Sequence, residues 1–106
     1  MLFIVIGLSL SMLPATAAEY DCWECTITRL GMEPNNAFGS TDGFMLTVDD
    51  ASDNGWVGKR VFYLHDDLGK AGWATVLTAY SMGKTVWLRV ADTAAGSLVE
   101  IIYIND

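Results

Sequence analysis

Alternation between apolar and polar positions dominates the second half of the chain. Phe44, Leu46 and Val48 fall on one side of a period-two run that also carries Met45 and Thr47, which predicts a strand. Arg60 to His65 alternates again, with Val61 and Tyr63 opposed to Phe62 and Leu64. In Thr85–Ala91, Val86, Leu88 and Val90 point one way and Thr85, Trp87 and Arg89 the other; Val99 to Ile104 makes a closing strand. Earlier, Cys25-Thr26-Ile27-Thr28 reads as a first strand running toward Leu30. The period changes only once. Trp73, Val76, Leu77 and Tyr80 recur at helical spacing and predict a helix with that stripe in the core.

Turn chemistry separates these elements. GMEPNNAFGSTDG, from Gly31 to Gly43, is dense in turn formers and predicts a loop. Asn54-Gly55 marks a hairpin. Asp66-Asp67 precedes the helix and would place carboxylates at its positive end. Gly83 is placed to end the helix in a left-handed conformation. The expected order is β-β-β-α-β-β, the order of the oligonucleotide/oligosaccharide-binding (OB) fold, a mainly β five-stranded Greek-key barrel with one helix.

That order disposes of one tempting motif. Gly83-Lys84-Thr85 has the ending of a phosphate loop, but such a loop runs from strand to helix and needs glycine five residues earlier. Thr78 stands there, and the chain is leaving a helix. Gly83-Lys84-Thr85 reads as a helix stop.

The opening segment, MLFIVIGLSLSMLPATAAEY, is apolar from Leu2 to Leu13 and ends in Thr16-Ala17-Ala18. This matches an export signal cleaved before Glu19, leaving residues 19–106 as a single domain, secreted or periplasmic. The apolar run is shorter than the roughly 20 residues a membrane span needs, so stable insertion is not expected. The formal net charge of −7, with six scattered basic residues, argues against nucleic-acid binding.

The stretch ATVLTAYSMGKTVWLRV, followed by VEIIYIND, resembles small secreted bacterial OB proteins in which an apolar helix ends in Ser-x-Gly-Lys before a Val-rich strand. These resemble the receptor-binding B subunits of pentameric AB toxins, including the subtilase-cytotoxin type. The resemblance covers about residues 60–105 and implies an OB fold and a homo-oligomer, pentameric if toxin-like. A cysteine common before the last strand of such proteins has no counterpart in ADTAAGS.

Candidate chemistry is sparse. Cys22-Trp23-Glu24-Cys25 is a CxxC pattern whose readings are a local disulfide, intermolecular pairing or free thiols, and thiol–disulfide catalysis. Strand residues three apart face opposite ways, so a bond between these cysteines would need a tight turn at Trp23-Glu24. Asp50-x-Ser52-x-Asn54-Gly55 matches the first half of a calcium loop, but Val61 stands where the bidentate Glu belongs. His65 beside Asp66 lacks a nucleophile tied to it by spacing. No catalytic residue, metal or cofactor is assigned.

The expected activity is therefore recognition of a glycan or a protein surface; the alternative is an inhibitor or structural partner of another exported protein. OB topology places ligands on the second and third strands and the adjoining loops. That selects Met45, Thr47, Arg60 and Phe62, with Asn35, Asn36, Phe38, Asp42 and Asp92 in the loops. Trp56, in the hairpin, joins this set because exposed tryptophan stacks on sugars. Trp87 and Arg89, on the outward parity of their strand, are candidate interface residues.

Overall fold

The structure is a computed structural model and describes residues 19–33 and 41–106. The proposed export signal (1–18) and Asn35, Asn36 and Phe38 lie outside the described residues.

Five strands and one helix follow in the expected order: β1 (Tyr20–Met32), β2 (Phe44–Asp50), β3 (Lys59–Leu64), α1 (Gly69–Met82), β4 (Val86–Val90) and β5 (Leu98–Ile104). They close into an OB barrel with strand neighbours β1-β2-β3-β5-β4 and back to β1. Closure depends on β1, a single strand long enough to serve two neighbours. Its first part pairs with β4 from Tyr20↔Val90 to Cys25↔Val86, and its second with β2 from Cys25↔Asp50 to Met32↔Phe44. Irregularities between Cys22 and Cys25 and between Ile27 and Arg29 break the register. Such bulges bend a strand and increase its twist, which carries β1 around the barrel corner. The last seam is short: β3 and β5 run parallel and pair at Tyr63↔Leu98 and Leu64↔Val99.

Alternation fills the barrel. Leu46, Val48, Phe62, Leu64, Val86, Leu88, Val90 and Val99 are all buried. α1 plugs one end through Gly72, Val76 and Ala79, while Trp73 stacks on Phe44 with centroids 4.8 Å apart. The buried face is thus one step round from the predicted stripe: Leu77 and Tyr80 are exposed, because Gly72, Val76 and Ala79 bring the helix close with small side chains.

The helix ends differ from one another. Gly83 adopts φ 66° and ψ 28°; its N–H donates to the Tyr80 carbonyl and that of Lys84 to the Ala79 carbonyl, the paired bonds of a Schellman stop. At the other end Leu68 precedes the first turn with no side-chain cap. Asp66 is drawn away instead, accepting from the Thr41 backbone N–H (2.9 Å) and hydroxyl (2.8 Å). It ties the β1–β2 connection to the helix entry, and the Thr41 hydroxyl holds its carboxyl below the usual range.

β1 is also longer than expected. It begins before the CxxC and absorbs Gly31 and Met32, assigned above to the following loop.

Candidate functional site

The CxxC lies inside β1, and Cys22 and Cys25 form a disulfide with Cα atoms 5.8 Å apart. No separate turn is needed. The bulge puts both cysteines on the inner face, fully buried, and throws Trp23 and Glu24 outward. Buried sulfurs packed among apolar side chains form a structural clip.

Trp23 is the first rung of a three-ring ladder on the outside of the barrel. Its indole stacks on Trp87 of β4 at 4.8 Å and 6°, and Trp87 stacks on Tyr103 of β5 at 4.9 Å and 6°. The register explains the alignment, since Trp87 pairs directly with Tyr103 and the β1 bulge sits opposite. Trp23 is 64% exposed and Tyr103 56%. Trp87, between them, has both faces covered, and its indole N–H is buried without a hydrogen-bond partner among the described residues. Beside the ladder Asp21 and Arg89 pair through two contacts, 2.7 and 3.2 Å. The guanidinium holds the Asp21 carboxyl below its ordinary range.

Next to Trp23 lies a groove of about 470 Å³, lined by Tyr20, Asp21, Trp23, Glu24, Ala51, Ser52 and Asn54. This falls within the range of small-ligand pockets. Its far wall is the β2–β3 loop, built around buried Asp50. One carboxylate oxygen of Asp50 accepts from the Ser52 N–H and hydroxyl, at 3.0 and 2.8 Å. The other accepts from the Tyr20 hydroxyl at 2.7 Å and the Gly55 N–H at 3.0 Å. Burial pushes the Asp50 carboxyl up, but the donors from Tyr20, Gly55 and Ser52 outweigh it, and its pKa is lowered. Asp50 is engaged by protein donors at both oxygens, so the partial calcium motif is a loop scaffold.

Gly55 has a different role from the one its sequence context implied. The left-handed positions of the loop are Asp53 (φ 56°) and Gly58 (φ 77°). Gly55 supplies space: a Cβ there would lie 2.4 Å from Cε2 of Tyr20. The absence of a side chain lets the Tyr20 ring lie against the loop.

No family model, curated protein or solved structure matches the chain.

Of the residues chosen from OB topology, those that are described do not line this groove. Met45 and Thr47 are outward on β2, but their partners across the ladder are Tyr63 and Val61. Phe62 pairs with Leu46 on the inner face and is fully buried, which removes it as a ligand contact. Arg60 donates 2.7 Å to the Thr93 carbonyl in the β4–β5 loop, where Asp92 accepts from the Ala94 N–H. Asp42 is exposed in the bend that precedes β2. Trp56 is only 3% exposed, its Nε1–H donating to the Val48 carbonyl at 3.1 Å; it is a core residue. At the helix entry, His65 Nδ1 accepts from the Asp67 N–H while Asp66 accepts from Thr41, so each is hydrogen-bonded elsewhere. Among the described residues no three potential ligands cluster to hold a metal, and no helix is long and apolar enough to cross a membrane.

Trp87 and Arg89 do face outward, yet Trp23 and Tyr103 cover one and Asp21 occupies the other. The groove residues Tyr20, Asp21, Trp23 and Glu24 are not marked by alternation, because the bulge between Cys22 and Cys25 breaks the period there. An available signal was the aromatic residue between two cysteines that share one strand.

Proposed function

We propose that the protein is an exported, non-catalytic binding module that recognises glycan at the groove walled by Trp23. The observation that carries this reading is an exposed indole, fixed by stacking on Trp87, beside a groove with carboxylate, hydroxyl and carboxamide groups. Sugars present an apolar C–H face and a rim of hydroxyls, and a fixed aromatic face with adjacent polar side chains matches both. A ring already held in place loses little freedom on binding.

The resemblance to toxin B subunits fits this reading and adds an oligomer, a pentamer in that family. A second reading, docking to another exported protein, is favoured by a separate observation: Leu77, Tyr80 and Met82 of α1 are exposed large apolar side chains. Such groups mark interfaces when contiguous.

Glycan-array screening with the wild type and Trp23→Ala separates the two. The glycan reading expects hits that vanish in the variant while it still unfolds in a single cooperative denaturant transition. An array without hits, together with a partner captured through the α1 face, would overturn it. Solution mass by light scattering tests the oligomer independently.

A further inference from the structure

The occupant of the groove is narrowed by which of its groups are free. Trp87 covers one face of the Trp23 indole, and the ladder stacks face to face instead of forming a flat platform. One aromatic face is left on the groove side, enough for one sugar ring. Around it, most polar groups are committed. Asp21 is held by Arg89, the Ser52 hydroxyl donates to Asp50, and the Tyr20 hydroxyl donates to the same carboxylate. Glu24 and Asn54 line the groove with side chains that make no hydrogen bond or ion pair among the described residues. The Arg89 guanidinium at this edge is paired with Asp21. A carboxylate that makes no ion pair among the described residues therefore lines the same groove as an exposed indole.

Those two features favour the same chemical group from different directions. An ammonium is attracted electrostatically to a carboxylate and to the face of an indole. An anionic sugar would meet repulsion from Glu24. We propose that the groove takes a single amino-sugar ring, its C–H face on Trp23 and its protonated free amine on Glu24, with Asn54 bonding a neighbouring hydroxyl. This rests on the glycan reading above.

The test is calorimetric titration of the purified protein with three trisaccharides of one linkage: glucosamine with free amines, its N-acetylated counterpart, and glucose. Measurements are made below the amine pKa at low and moderate salt. The free-amine trimer should bind at least tenfold tighter than the other two, and the preference should shrink as salt screens the exposed charge. Glu24→Gln, at an exposed position, should erase the preference while retaining residual binding; Trp23→Ala should remove binding of all three. If the N-acetylated or glucose trimer binds as tightly, or Glu24→Gln leaves the preference unchanged, the amine assignment is overturned and the glycan reading stands. Absence of binding by all three, with no array hits, overturns both.

Discussion

Two aromatic clusters lie on opposite sides of the same barrel wall. Inside, Trp56 meets Phe62 at 53° and Tyr20 at 72°, the tilted and edge-on arrangements that fill a core without parallel faces. Each polar atom there has a partner: Trp56 Nε1–H on the Val48 carbonyl, and the Tyr20 hydroxyl on Asp50. Outside, Trp23, Trp87 and Tyr103 lie nearly parallel, both end rings are more than half exposed, and the central indole N–H has no partner among the described residues. Two stability devices of similar composition would not differ in this way. The inner cluster is built for cohesion, and the outer one presents an ordered ring face to solvent. Tyr20 joins them, since its ring edges the groove while its hydroxyl anchors the loop behind it.

The largest expected effect comes from breaking the inner cluster. Trp56→Ala should cost about 3–5 kcal/mol in denaturant unfolding, from lost burial and a residual cavity. Trp56→Phe should recover much of that but lose the Nε1–H bond to the Val48 carbonyl, costing about 0.5–1.5 kcal/mol. If Trp56→Ala proved as mild as a surface change, the division between inner and outer rings would fail.

Acid should attack the same cluster through Asp50. A carboxyl whose pKa is lowered on folding stabilises the fold above its unfolded value of about 3.9. That stabilisation is lost as pH falls through the depressed folded value, when the donors from Tyr20, Ser52 and Gly55 face a protonated acid. Unfolding free energy should therefore drop below about pH 4. Asp21 and Asp66 are shifted the same way, so the wild-type slope has several sources. Asp50→Asn isolates one: it should cost about 1–3 kcal/mol at neutral pH, because an amide brings a donor toward existing donors, and the acid slope should flatten. An unchanged slope, measured by denaturant titration at pH 3 to 7, would remove Asp50 from the account.

These contrasts also show which parts of the molecule were legible in its residues. Period-two alternation located β2, β4 and β5 to within a residue or two, because strands buried on one face must alternate. The Gly83 stop was legible because only a residue tolerant of positive φ sits easily there. The helix face was misjudged at Leu77 and Tyr80, since hydrophobicity outweighed the close packing that Gly72 and Ala79 allow. Trp56 gave no sign of burial, because a loop around a satisfied carboxylate can fold an indole back into the barrel. The Trp23 groove was hidden by a bulge, which reverses side-chain parity across one residue and leaves no periodic trace.

The smallest effect in stability is the sharpest for function, and it divides the outer ladder itself. Trp23 borders the groove and Tyr103 does not, although each stacks on the same central ring at nearly the same distance. Tyr103→Ala and Trp23→Ala should each cost about 0.5–1.5 kcal/mol, the value of one exposed aromatic pair. Trp23→Ala should also abolish the exciton couplet of two stacked indoles in circular dichroism; Tyr103→Ala should preserve it, because Trp23 and Trp87 remain paired. Glycan binding should follow the couplet, lost in the first variant and retained within about twofold in the second, a difference under 0.5 kcal/mol. If Tyr103→Ala removed binding as completely as Trp23→Ala, the ladder would act as one continuous contact surface. The recognition face would then run across β1, β4 and β5 instead of ending at the groove.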